Sequence, residues 1–180
     1  IESNDINAFV RFYAANAHQL PISISVDANK HLPQADVVVT ATSSVSELVK
    51  PGNVKFGAVI CDLSRPANVS REIKSCRPDV LVIDGGVVEV WDRPDLGWDF
   101  GFQQGLCFAC MAETMLLALE GRLRHISIGS NITVETLALV RHLAEKHGFR
   151  IADLRSFDRP LSEEDWQQVF ASRATPGTRP

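Results

Sequence analysis

The chain has 180 residues, of which 45% are hydrophobic and 22% are charged, a composition typical of a globular protein and not of a disordered or collagen-like one. Its 18 basic and 22 acidic residues give a formal net charge of -4, which argues against a nucleic-acid partner. No apolar run approaches the roughly 20 residues of a transmembrane helix. We therefore expect no transmembrane segment. Because the chain has only four cysteines, we expect free thiols and a cytoplasmic protein.

The opening residues have the pattern of an amphipathic helix. Apolar side chains recur every three or four positions from Ile6 to Tyr13, which predicts a helix over residues 4–18. Residues 22–26 alternate apolar with small polar side chains, as a strand does.

Three later runs of β-branched and other apolar residues recur at similar intervals. They cover residues 36–41, 58–62 and 79–84, and such runs are typical of strands buried on both faces. Short helices are predicted between them, at residues 46–50 and 71–75. This alternation predicts an α/β fold, a Rossmann-like parallel sheet with right-handed crossovers.

Small or polar residues follow each of these strands. They occupy residues 40–44, 62–66 and 84–86. Ligands bind at the carboxyl ends of the strands in open α/β sheets, so the three loops are expected to form the rim of one site.

The second half of the chain is predicted to be mainly helical. A loop over residues 91–105 precedes an Ala-, Leu- and Met-rich helix at 106–120, and a second amphipathic helix covers 133–147. Residues 124–128 are a candidate strand between them, and Ser162 has the pattern of a helix start.

Two glycine-rich motifs bind phosphate groups, G-x-G-x-x-G and G-x-x-x-x-G-K-[ST], and neither occurs in the chain. We therefore expect the first β-α-β unit to lie upstream of Ile1, and we expect an upstream domain of the same longer chain. On this interpretation residues 1–105 are a partial dinucleotide-binding domain. Residues 106–172 form a helical C-terminal part, and 173–180 a flexible tail.

Cys107 and Cys110 have C-x-x-C spacing, and four interpretations compete, one of which is a thioredoxin-like redox pair. A zinc site lacks its other ligands, because His142 and His147 lie on different faces of one predicted helix. Cys110 alone is a candidate nucleophile near a helix start, where the helix dipole favours a thiolate. Alternatively, both cysteines are small buried residues of a helix packed on the sheet.

Several segments together resemble the long-chain acyl carrier protein reductases that make fatty aldehydes, within a wider group often labelled predicted amino acid dehydrogenases. These segments are residues 35–39, 82–89, 108–121 and 131–149. The most specific part is the cysteine segment Phe-Ala-Cys-Met-Ala-Glu together with the Asn-Ile-Thr helix downstream.

The resemblance implies a Rossmann domain, a preference for NADPH and a cysteine that carries the acyl group. That cysteine matches Cys110. We accordingly expect NADP(H) as cofactor and the thioester of acyl carrier protein or CoA as substrate. The residues assigned to the cofactor are Thr42, Ser43, Ser44, Gly85 and Gly86, and those assigned to the substrate are Ser64 and Arg65.

Two alternatives stay open. The chain can belong to an amino acid or hydroxy acid dehydrogenase in which hydride passes directly to the substrate and Cys110 only packs. It can also be a noncatalytic module of a larger multidomain protein.

Overall fold

A computed structural model describes residues 23–99, 101–128 and 132–174. The helix predicted over residues 4–18 and the last six residues of the chain lie outside these ranges. Within them, the first element is the short helix α1 (Ala28–His31), whose N-terminus is capped by the side chain of Asp27.

The centre of the structure is a parallel sheet of three strands in the order β1 (Val37–Thr40), β2 (Val59–Asp62) and β3 (Leu81–Asp84). The strands run in register, so Thr40 pairs with Asp62 and Asp62 with Asp84 at their carboxyl ends. The predicted α/β class and the three parallel strands are confirmed, but the predicted burial of the strands on both faces was wrong.

One face of this sheet is covered by its own crossover segments. Val38, Ile60 and Val82 point from the three strands into a common core, where they meet residues of both connections. One of those residues is Ile73, which is fully buried on the single-turn helix α2 (Ile73–Cys76). Burial of such aliphatic side chains supplies most of the favourable free energy of this half.

The opposite face of the sheet carries exposed and half-buried side chains in the part of the chain that the structure describes. Val37 and Val39 of β1 are 65% and 60% exposed, and Cys61 and Ile83 of the neighbouring strands are half-buried. Parallel sheets are normally covered on both faces, so this surface is unusually apolar for one that faces solvent.

A second, smaller sheet was not predicted. It is antiparallel, in the order β5-β4-β6, with strands β4 (Val87–Glu89), β5 (Leu106–Phe108) and β6 (Arg150–Ile151). Two helices, α3 (Ala109–Leu119) and α4 (Val134–Lys146), pack beside it through a second hydrophobic core.

The helix predicted over residues 106–120 was wrong at its start. Its first three residues form β5, because the carbonyl of Gly105 accepts the N–H of Val90 and the ladder with β4 continues from there. The helix α3 then begins at Ala109 and ends before Gly121, which has a positive φ of 62°.

Polar and charged side chains connect the C-terminal ends of α3 and α4. Glu120 accepts hydrogen bonds from Lys146 Nζ at 2.6 Å, and its carboxylate lies 2.7 Å from His147 Nε2. These two hydrogen bonds lower the pKa of Glu120 to about 2.

A hairpin and a helix complete the described chain. Strands β7 (Arg155–Ser156) and β8 (Arg159–Pro160) are joined by Phe157 and Asp158, both with positive φ, and α5 (Glu163–Ala174) follows. The predicted helices at 133–147 and after Ser162 are confirmed, and Thr133 caps the first of them.

Three other predicted elements were wrong. Residues 23–26 form no strand, and neither do residues 124–128. Residues 46–50 are not helical, because Val49 instead forms an isolated parallel bridge with Val69. Among the described helices, none combines the length and the apolar character needed to cross a membrane.

Candidate functional site

The carboxylate of Asp62 organises the carboxyl ends of the parallel strands. It is 2% exposed and accepts four hydrogen bonds. The Thr40 hydroxyl at 2.6 Å and the Ser64 N–H at 2.9 Å bind one oxygen, and the N–H groups of Asn68 and Val69 bind the other. Burial by itself raises the pKa of Asp62, but these hydrogen bonds outweigh it and lower the pKa. Asp62 is therefore a buried, fully hydrogen-bonded anion.

The loop after β1 is fastened to the loop after β2. The buried hydroxyl of Ser64 accepts the N–H of Thr42 at 3.1 Å, and the Thr42 hydroxyl donates to the side-chain oxygen of Asn68. The amide nitrogen of Asn68 donates in turn to the carbonyls of Ser44 and Ser46. Through these contacts Asp62 fixes both loops, while Ser43 stays exposed at the rim.

Arg65 connects this rim to the cysteine segment. Its side chain is exposed, donates to the carbonyl of Ser64 at 2.7 Å, and lies 5.3 Å from the centre of the Phe108 ring. Phe108 is the residue immediately before α3, and its ring also meets that of Phe102 edge-on. The predicted substrate residue and the start of the cysteine helix are therefore neighbours.

Cys110 and Cys107 occupy different environments. Cys110 is the second residue of α3 and is exposed, so it lies at the positive end of the helix dipole. Cys107 is 0% exposed in β5. Burial raises the pKa of Cys107, and the charge of Cys110 raises it further. Of the two thiols, only Cys110 is placed to react with a ligand from solvent.

The two glycines after β3 differ in what they require. A side chain at Gly85 would lie 2.3 Å from Leu63 Cδ2, so the space is already filled by Leu63. Gly86 has a φ of +72° and open space around it, and its carbonyl accepts the N–H of Ala109 at 2.8 Å. Gly86 therefore joins the end of β3 to the residue before Cys110.

A cavity of about 220 Å³ opens at the carboxyl ends of β2 and β3. Asp62 and Arg65 contribute to its wall, together with Arg71, Asp84 and Asp158. Asp158 accepts from the guanidinium of Arg71 and donates its N–H to Asp84 at 2.6 Å. The hairpin β7-β8 thus closes one side of this cavity.

The structure brings together most of the predicted site residues. Thr42, Ser44 and Ser64 share the Asp62 network, and Arg65 and Gly86 contact the residues that precede Cys110. Sequence reasoning missed Asn68, which holds both loops through contacts more than twenty positions away. It also missed the Arg71, Asp84 and Asp158 set, because Asp158 lies 74 positions beyond Asp84. No local sequence pattern predicts either arrangement.

The curated proteins to which the chain is similar include two enzymes. Aminotransferase PigE of a Serratia species is 31% identical over 146 residues, which is 79% of this chain and 17% of PigE. A long-chain acyl-[acyl-carrier-protein] reductase of Synechococcus elongatus is 31% identical over 127 residues, which is 66% of this chain and 36% of that protein. No family model matches the chain.

The chain thus spans about a sixth and about a third of the length of these two relatives. Both relatives are enzymes, and their similarity relates the chain at a distance to an enzyme group that includes a reductase.

Proposed function

We propose that the chain is the cysteine-bearing part of an NADPH-dependent reductase that converts an acyl thioester to an aldehyde through an acyl-enzyme on Cys110. The observation that carries the proposal is the position of Cys110, exposed at the start of α3 and two residues after Phe108, which Arg65 contacts. The similarity to an acyl-[acyl-carrier-protein] reductase supports the same chemistry.

A thiolate at a helix N-terminus suits attack on a thioester. The Cys110 sulfur adds to the carbonyl carbon, the bond from that carbon to the carrier sulfur breaks, and the carrier leaves as a thiolate that takes a proton from water. Exchange of one thioester for another is nearly balanced in energy, so the acyl group stays activated on Cys110. The positive end of the α3 dipole favours the negative charges that form.

The rim residues fit a nicotinamide cofactor in part. Ser43 offers an exposed hydroxyl, and the backbone at Gly86 faces open space, whereas Thr42 and Ser44 hold the loop through the Asn68 contacts. We assign Ser43 and Gly86 to direct contact and the other predicted cofactor residues, Thr42, Ser44 and Gly85, to shaping the rim. When bound, NADPH supplies the hydride that reduces the enzyme-bound thioester to aldehyde, after which Cys110 is released.

Arg65 and Ser64 have separate roles in this proposal. The exposed guanidinium of Arg65 binds the anionic or carbonyl end of the substrate arm, since nothing among the described residues pairs it with a carboxylate. Ser64 is buried and acts on the substrate side only by holding the loop of Thr42 in place.

Aminotransferase chemistry receives no support from the lysines of the described chain. Such enzymes form a Schiff base on a lysine whose side chain is shielded from water. Here Lys55 pairs with Asp36 and Lys146 with Glu120, and the remaining three, Lys30, Lys50 and Lys74, are exposed. The four cysteines are free thiols, as we expect for a reducing cytoplasm, where we place the reaction.

The experiment that tests the proposal is acylation without cofactor. The chain is incubated with an acyl-CoA, and adducts are located by mass spectrometry of peptides. We expect one acyl group on Cys110, none in Cys110→Ser, and an unchanged yield in Cys107→Ser, which serves as the matched control.

Absence of an adduct on Cys110 in a chain that is folded by circular dichroism would contradict the proposal. Turnover in the complete protein without any adduct would favour direct hydride transfer to the substrate. Absence of both would favour the noncatalytic module.

A further inference from the structure

Arg155 is a buried cation that has no carboxylate partner among the described residues. It lies in β7 and is 4% exposed. Its guanidinium donates to the side-chain oxygen of Gln103 at 3.1 Å and to the carbonyl of Asp158, and it lies over the ring of Phe102. Each of these partners is electrically neutral. Across the described ranges, no carboxylate lies within 4.0 Å of Arg155, and its Nε atom has no hydrogen-bond partner.

Arg77, the other buried arginine of the described chain, is an example of a guanidinium whose charge is fully paired. It is 8% exposed and makes a bidentate contact with Asp79, at 2.9 and 2.8 Å. Its remaining donors bind carbonyls of residues 51, 54 and 55. Removing a full charge from water is strongly unfavourable unless an opposite charge compensates it. Arg77 has that compensation and Arg155 does not.

Arg155 forms part of the wall of a cavity of about 320 Å³. This is within the size range of pockets that hold small molecules. Gln103, Gln104 and Arg93 also line it, so amide and guanidinium groups are available around one opening. The cavity is separate from the Asp62 rim, because none of its lining residues belongs to the loops after β1 or β2.

We propose that this cavity binds an oxyanion, the carboxylate or phosphate group of a small molecule, with Arg155 as its principal cationic partner. A planar guanidinium matches either group through paired hydrogen bonds. The bound anion would supply the negative charge that no described residue provides next to Arg155. This site does not depend on the function proposed for Cys110.

The two acidic residues that line the cavity do not cancel the attraction of an anion to Arg155. Glu89 already pairs with Arg93, so together they add no net charge. Asp153 is exposed, and the charge of an exposed side chain is screened by water and salt more strongly than that of a buried one. The buried charge of Arg155 therefore dominates the field at the inner wall.

The test uses the full chain and two probes, inorganic phosphate and acetate, each compared with chloride at equal ionic strength. Thermal unfolding is followed by circular dichroism, and binding by calorimetric titration. We expect at least one probe to raise Tm and to bind saturably, one anion per chain. Phosphate alone would identify a phosphate ligand, and acetate alone a carboxylate.

Arg155→Met keeps an unbranched apolar side chain and removes the guanidinium with its charge. It should weaken binding about tenfold or more, the loss expected for one hydrogen bond to a charged group. The matched control is Arg141→Met, which removes an exposed guanidinium of α4 outside the cavity and should leave binding unchanged.

A second variant covers the case in which Arg155→Met does not fold. Gln104→Trp places a large side chain at an exposed position of the cavity wall and should block binding while Arg155 stays intact. The proposal is overturned if neither anion differs from chloride in the wild type, or if either variant, when folded, still binds as the wild type does.

Discussion

The guanidinium of Arg65 lies 5.3 Å from the centre of the Phe108 ring, so the loop after β2 meets the residue that precedes the cysteine helix. This contact brings a cation from the parallel sheet to the start of α3. It also joins two parts of the chain that are more than forty positions apart.

The first prediction concerns Arg65. Arg65→Met should slow acylation of Cys110 by about tenfold, because one charge-assisted contact to the substrate is lost, while the fold changes little because the side chain is exposed. The measurement is the rate of adduct formation with acyl-CoA, with Arg141→Met as control. Equal rates in the two variants would show that Arg65 takes no part.

The two cysteines should differ in stability as well as reactivity. Cys107→Ser places a hydroxyl at a position with 0% exposure and should lower the free energy of unfolding by about 1–3 kcal/mol. Cys110→Ser is exposed and should stay within about 0.5 kcal/mol of the wild type. Urea unfolding of both variants gives the comparison, and the reverse order would mean that Cys110 is the packed residue.

Asp62→Asn should destabilise the chain and change its response to pH. The carboxylate accepts four donors, and an amide would turn its NH2 group toward some of them, at a cost of about 1–3 kcal/mol. Because the folded-state pKa lies below the ordinary 3.8, Asp62 stabilises the fold above that pH and loses this effect as the pH falls toward the folded pKa.

Urea unfolding between pH 2 and 7 measures both effects. The wild type should lose stability below about pH 4 more steeply than Asp62→Asn, so the two curves converge in acid. If stability falls equally with pH in the two proteins, the pKa of Asp62 does not change on folding.

Arg77→Met should be the most damaging of these changes. It leaves Asp79 as a buried, unpaired carboxylate, and the loss of one member of a buried pair costs about 3–5 kcal/mol. Arg141→Met removes an exposed pair with a 3.8 Å separation and should cost less than about 0.5 kcal/mol. Thermal unfolding compares the two, and a loss at Arg77 no larger than at Arg141 would contradict the role assigned to the buried pair.

Gly86→Ala should cost about 1–2 kcal/mol, because an alanine at a φ of +72° is strained even with open space around it. Gly52 also has open space but no positive φ, so Gly52→Ala should be neutral or slightly stabilising. If urea unfolding shows the same change for both, backbone conformation is not what Gly86 provides.

The sequence predicted the parallel sheet well because its strands lie within continuous β-branched and apolar runs, although only one face of the sheet is buried. The runs at 36–41, 58–62 and 79–84 contain β1, β2 and β3 with small differences at the ends. The second sheet was not predicted because its strands have three, three and two residues, too short for any periodicity to appear.

The cysteine segment shows both what sequence reasoning can find and where it stops. Its residue types and helical propensity led to a helix that carries Cys110, which the structure contains. The strand at Leu106–Phe108 depends on pairing with β4, a tertiary contact that overrides local propensity. The same holds for Asn68, whose partners lie on another loop.

The hydrogen bonds of Asp62 also have a consequence for motion. The N–H groups of Ser64, Asn68 and Val69 all end on one buried carboxylate, so none can open to solvent without freeing the others. Hydrogen exchange at these three amides should be slow and should accelerate together, as one cooperative unit. The rim after β2 is thus expected to open as one unit, with Asp62 as the group that links its three amides.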